Sequence, residues 1–239
     1  MLDVAARLVF FPVLFWQGVK VRRSALRLPE PIGQRIGVKG NGPLMRLLIV
    51  GDSSAAGVGT THLDEALSGH MLKRLCQTNT VHWCVNAKTG AKTSETLNRL
   101  RDAQPQKYDL VSVSLGVNDI TGLVPLRIWL WQYAALLDLL EQKFEADVIC
   151  VSGIPQMKHF PLLPQPLRWV LGSQAARFDR ALGKLIKKRS KCRFVMMDFE
   201  PDTSLMSPDG FHPGPKIYAE WGRKVYQAIR NDVRQFTMQ

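Results

Sequence analysis

The sequence predicts an α/β fold: a five-stranded, mainly parallel sheet in a three-layer α/β/α sandwich. Two observations predict it. Short apolar, β-branched runs recur along the chain, and each is followed by a longer segment whose apolar residues have helical spacing. Such alternation covers both faces of a parallel sheet with helices and gathers the functional loops at the carboxyl ends of the strands. Composition agrees: of 239 residues, 46% are hydrophobic, 22% charged and 8% aromatic, enough for a substantial core. Disordered, collagen-like and disulfide-scaffold classes are excluded.

The first 45 residues stand apart from this pattern. Residues 8–16 (LVFFPVLFW) are apolar without interruption, but a bilayer-spanning helix needs about 20 such residues. Gln17 and Lys20 interrupt any extension to Val21, and no A-x-A-like cleavage motif precedes Arg22-Arg23, which argues against a removable signal peptide. With Lys20, Arg22, Arg23 and Arg27 following, residues 8–27 fit peripheral contact with an anionic membrane surface, and they fit packing on the domain equally well. Residues 29–43 (PEPIGQRIGVKGNGP), dense in Pro and Gly, are expected to be a linker. The chain thus divides into an extension, 1–45, and one domain, 46–239, in which no repeat beyond the β-α unit is visible.

Within the domain the expected strands are 47–50, 81–85, 110–115, 148–151 and 194–197. Gly51-Asp52-Ser53-Ser54-Ala55-Ala56-Gly57-Val58-Gly59 follows the first, a tight small-residue turn into a helix that leaves Ser53 at the helix start among free N–H groups. Asn86-Ala87-Lys88-Thr89-Gly90 follows the second and Gly116-Val117-Asn118-Asp119 the third. A helix then begins near Pro125 and carries Leu126, Leu130, Leu137 and Leu140. After the fourth strand, residues 153–171 hold four prolines among Phe160, Leu162, Leu163, Leu167 and Trp169, an apolar loop fit to line a pocket, to act as a lid, to pack in the core or to meet a partner. Trp129 and Trp131 are candidates for another pocket wall, with core packing or a partner interface the alternatives. Ser207-Pro208-Asp209-Gly210-Phe211-His212-Pro213-Gly214 follows the fifth strand, and Pro215 opens a last helix with apolar residues four apart.

The net charge of +12 attracts anions, and residues 1–46, with eight basic and two acidic side chains, carry half of it. A second basic tract, 158–193, falls mostly on the outer face of a helix and reads as solvated surface. No aromatic-interleaved basic run or zinc finger accompanies either tract, so no nucleic-acid partner is expected. Cys76, Cys84, Cys150 and Cys192 show no C-x-x-C pairing and read as buried thiols. His82-x-Cys84 lacks the further ligands of a metal site.

Taken singly, the rim loops read as ordinary turns. Asp209-x-x-His212 is stronger, because Gly210 and Pro213 hold it in a loop where a carboxylate can fix an imidazole tautomer. His62, His70, His82 and His159 have no such neighbour. Asp52 and Asp119 read as braces for their loops.

Together, GDSSAAGVG, NAKTGAKT, GVND and DGFHPG, each after its own strand, resemble the four blocks of the GDSL-type lipases and esterases, also called SGNH hydrolases. The resemblance runs from about Arg46 to the last helix, with Ser54 where those proteins usually have Leu. It implies a flavodoxin-like sandwich and a catalytic set of Ser53 as nucleophile, His212 as general base then acid, and Asp209 as its orienting partner. It also implies an oxyanion hole of the Ser53 and Gly90 backbone N–H groups and the Asn118 side-chain amide. No cofactor and no metal are expected, since N–H dipoles meet the developing charge. The expected substrate is a small-molecule or lipid carboxylic ester of short to medium acyl length. A thioester, an acetylated sugar or acyl transfer would use the same site, and a non-catalytic membrane-surface module or a nucleic-acid binder are the non-enzymatic rivals. Unpaired thiols point to the cytoplasm, and the export of many such proteins points to the periplasm.

Overall fold

The computed structural model describes residues 11–199 and 202–237. Strand β2 (Leu44–Gly51) lies at the centre of the sheet, parallel to β3 (Thr80–Ala87) on one side and to β4 (Leu110–Ser114) on the other. Strands β5 (Val148–Ser152) and β6 (Cys192–Val195) extend the sheet beyond β4. The chain therefore leaves β2 in one direction and returns to its other side, and the crevice at such a reversal is where loops of neighbouring strands can converge on a ligand. Residues 110–113 and 148–152 are wholly buried, as expected of strands covered on both faces.

Among the described residues the sheet has six strands, not five. Strand β1 (Ile36–Lys39) adds antiparallel to the outer edge of β3, giving the order β1-β3-β2-β4-β5-β6. The expected linker 29–43 is corrected accordingly. Its strand was invisible in the pattern because an exposed edge has no core face to encode: Ile36 and Val38 are 72% and 58% exposed.

Helices cover both faces. Helices α4 (Thr93–Asp102), α6 (Leu126–Gln142) and α7 (Leu167–Ile186) supply Leu97, Leu136, Leu140, Phe178 and Leu182 to the core on one face. On the other, α3 (Leu67–Leu75) and α8 (Pro215–Thr237) supply Leu67, Met71, Trp221, Val225 and Ile229. Short helices α2 (Ser53–Ala56) and α5 (Val117–Thr121) open directly from β2 and β4.

Helix α1 (Phe11–Ser24) holds the described part of the apolar run; residues 8–10 lie outside the described residues. It packs on α7, where the Gln17 amide donates to the Gln165 carbonyl at 2.6 Å and accepts from the Leu167 N–H at 3.1 Å. Arg22 Nη2 donates to the Thr121 carbonyl at 3.3 Å. Leu14 and Val21 pack inward, whereas Phe15 and Trp16 are 64% and 61% exposed. Among the described residues no helix is long and apolar enough to cross a membrane.

Candidate active site

All four rim loops meet at the carboxyl ends of the strands. Ser53 is the first residue of α2, and its Oγ lies 2.8 Å from His212 Nε2. His212 Nδ1 lies 2.5 Å from Asp209 Oδ2. Asp209 is 6% exposed and is saturated with donors: its Oδ1 accepts from Ser207 Oγ at 2.8 Å and from the Phe211 and His212 N–H groups at 2.9 and 3.0 Å. Burial alone would raise the Asp209 carboxyl. The hydrogen bonds from the His212 ring and the two backbone amides outweigh it and hold the group well below the usual carboxylate range. A carboxylate fixed at Nδ1 leaves Nε2 as the acceptor facing the serine hydroxyl, which is the arrangement that makes a hydroxyl nucleophilic.

Local sequence explains the loop that holds His212. Gly210 adopts φ +64 and donates to the Ser207 carbonyl, while the Ser207 backbone N–H donates to the His212 carbonyl. Phe211 then packs edge-on against both Phe160 and the His212 ring, with centroids 5.2 and 5.3 Å apart. The Tyr218 hydroxyl in α8 donates to the Val58 carbonyl at 2.8 Å, with the Ser54 carbonyl 3.1 Å away, joining the serine loop to the helix that follows the histidine loop.

The expected oxyanion donors fall into two groups. Among the described residues, the backbone N–H groups of Ser53 and Gly90 have no hydrogen-bond partner. Gly90 has φ +78 with open space where a Cβ would stand, so a ligand oxygen can approach its amide. The Asn118 amide, in contrast, is engaged: Nδ2 donates to Asp52 Oδ2 at 3.2 Å and to the Ala91 carbonyl at 3.1 Å.

Asp52 and Asp119 brace the loops, as the sequence suggested. Asp52 caps α2 by accepting from Ser54 N at 3.0 Å. Asp119, fully buried, accepts from Thr93 N and Oγ1, and Thr93 Oγ1 accepts in turn from Trp129 Nε1 at 3.0 Å. That chain fastens the Gly90 loop to the Asn118 loop. A second strap comes from the extension: Glu30 accepts from Thr89 Oγ1 at 2.6 Å and pairs with Arg35, which donates to the Ala87 carbonyl. No linear motif marks Glu30 or Thr93.

Burial pushes the Asp52 carboxyl up to about 6, against the opposing pull of the Ser54 amide and the His212 charge. A raised carboxyl favours the folded state while protonated and becomes a cost as pH rises through about 6. Asp52→Asn cannot ionise, so relative to the parent it should gain about 1 kcal/mol of stability between pH 5 and pH 8. Urea unfolding of both proteins at the two pH values measures this, and an unchanged difference would mean that Asp52 stays protonated or ionised across the whole range.

Two hollows adjoin these residues. One is a small, open cleft of about 90 Å³, walled by Ser53, Asn118, Ile154, Phe160, Phe211 and Ile217. The other is a wide apolar groove between α1 and the 120–126 and 162–171 segments, reaching His212, Gly90 and Asn118. The proline-rich loop thus lines both hollows. Trp129 and Trp131 line neither: Trp129 is fully buried against Tyr133 and Phe178, and Trp131 is 67% exposed on the far side of its helix. Core packing is the correct alternative for Trp129.

A family model described as the GDSL-like lipase/acylhydrolase family matches residues 49–220. The lipase Lip_vut3 from a goat rumen metagenome has a similar structure, with a TM-score of 0.62 at 18% identity over 77% of this chain and 97% of that one. A Clostridium thermocellum family 3 carbohydrate esterase gives 0.59 at 15% identity, over 81% and 99%. The psychrotrophic esterase EstA from Pseudoalteromonas sp. gives 0.58 at 17% identity, over 79% and 98%. At these identities the likeness is one of fold. A comparison with curated proteins finds no match.

Proposed function

The chain belongs to the GDSL-like lipase/acylhydrolase family and is a serine ester hydrolase, and from that premise we propose that it cleaves carboxylic esters of short to medium acyl length through an acyl-enzyme formed on Ser53. Ser53 Oγ attacks the ester carbonyl as its proton passes to His212 Nε2, and Asp209 holds the imidazolium. Collapse of the intermediate breaks the bond to the alcohol, which leaves with that proton. Water, activated by His212, then releases the acid and restores the serine. What supports this assignment is the unbroken line from Asp209 through His212 to Ser53.

The Ser53 and Gly90 amides are ready to receive the oxyanion. Asn118 is the third donor, recruited from Asp52 and Ala91 by the charge of the intermediate. Asn118→Ala should therefore lower kcat by about 10² to 10³ with KM nearly constant, because a donor used only in the transition state leaves ground-state binding alone. Steady-state kinetics on one ester decides this, and a change confined to KM would remove Asn118 from the hole.

The size of the cleft favours a short to medium acyl group. The apolar groove and the basic, apolar face of α1 favour an ester met at a membrane surface over an acetylated sugar. Turnover of p-nitrophenyl esters from acetate upward is the test. The expected result is activity that falls once the acyl chain outgrows the cleft, and no turnover of any ester would refute the proposal.

A further inference from the structure

The two hollows meet at the triad, where Asn118 and Phe211 line both. Ser53 lines the cleft and not the groove, whereas His212 and Gly90 line the groove and not the cleft. The alcohol leaving a tetrahedral intermediate takes its proton from the imidazolium Nε2, so the alcohol portion of the ester has to lie on the His212 side. On the basis of the ester hydrolysis proposed above, we propose that the groove is the binding site of the leaving alcohol and that this alcohol is an anionic amphiphile, an apolar chain bearing a phosphate, sulfate or carboxylate.

The groove has the chemistry of that occupant. Leu14 and Val21 of α1 form one wall, and Val124, Leu126, Leu163 and Leu167 belong to the other. Arg22, Arg27 and Lys92 stand along it. Asp209 is the sole acidic residue among the described residues that line it, and its charge is already taken up by His212. An apolar trough with an excess of cations suits a chain that ends in an anion. Helix α1 lies outside the segment matched by the family, so this wall is a feature of this chain and not of the shared domain. The hydrogen bonds of Gln17 to residues 165 and 167 and of Arg22 to Thr121 keep it in place over the groove.

Two ester series on the full chain test the assignment. One consists of acetates of straight-chain alcohols of increasing length, with and without a terminal sulfate; the other consists of methyl esters of acids of increasing length. In the acetate series kcat/KM should rise about threefold per methylene, as expected for a chain entering an apolar trough. The terminal sulfate should add about threefold at low salt. Val21→Asp should flatten the dependence on alcohol length. Arg27→Glu, at an exposed position outside the core, should erase the ratio of sulfated to neutral substrate. A rise with acyl length in the methyl esters, or a flat acetate series alongside good hydrolysis of p-nitrophenyl acetate, would overturn the groove assignment while leaving ester hydrolysis intact. Absence of turnover on p-nitrophenyl acetate as well would remove the proposed hydrolysis and the alcohol site with it.

Discussion

Ser53→Ala lowers ester hydrolysis by about 10⁵-fold or more while leaving the fold intact. The expected loss is large because Ser53 and His212 work as one unit: without Oγ no acyl-enzyme forms, and what remains is catalysis by positioning and the oxyanion donors alone. The fold should tolerate the change because, among the described residues, the hydroxyl's one partner is His212 Nε2, and Ala retains the first position of α2. Thermal unfolding of the two proteins should agree to within about 1 kcal/mol. Stopped-assay or discontinuous kinetics measure the rate, and residual activity above about 1% of the parent would place the nucleophile elsewhere.

The second large effect is at Asp209. Asp209→Asn should cost about 10⁴ in kcat, because an amide beside Nδ1 favours the wrong imidazole tautomer and no longer stabilises the imidazolium. It also affects stability. Oδ1 and Oδ2 together accept from Ser207 Oγ, two backbone amides and the His212 ring, and an amide can replace only part of that set. About 1 to 3 kcal/mol should be lost at neutral pH. The sign of the pH dependence follows from the depressed carboxyl: its contribution is present above the ordinary carboxylate pKa and lost as pH falls toward the folded value. The deficit of Asp209→Asn should accordingly shrink in acid. Asp52→Asn is the control, since Asp52 touches Asn118 and Ser54 and has no hydrogen bond to His212. Were Asp209→Asn active and Asp52→Asn inert, the acid of the triad would be misassigned.

The sheet and the four rim loops were legible because buried parallel strands leave uninterrupted apolar runs, and each run ends in a short polar block. The elements that escaped notice lack such a signature. Strand β1 contributes Ile36 and Val38 to solvent and not to a core, so its pairing with β3 rests on backbone hydrogen bonds that sequence does not encode. Trp129 and Trp131 cannot share a wall, because residues two apart on a helix point in nearly opposite directions; the period of Tyr133, Leu136 and Leu140 puts Trp129 on the buried side. The Glu30 strap on Thr89 and the Asp119–Thr93–Trp129 chain join segments 59, 26 and 36 residues apart, distances over which pattern carries no information. The apolar run was visible, but which of its residues face the domain was decided by Gln17, the one polar residue that α1 buries against α7.

Covalent labelling by a fluorophosphonate, followed by mass mapping of the adduct, tests the central claim most directly: that one hydroxyl faces both an imidazole and a set of bare amides. The parent should carry a single adduct, on the peptide containing Ser53, formed slowly in His212→Ala and not at all in Ser53→Ala. A folded parent that takes no label, or one labelled at another serine, would contradict it.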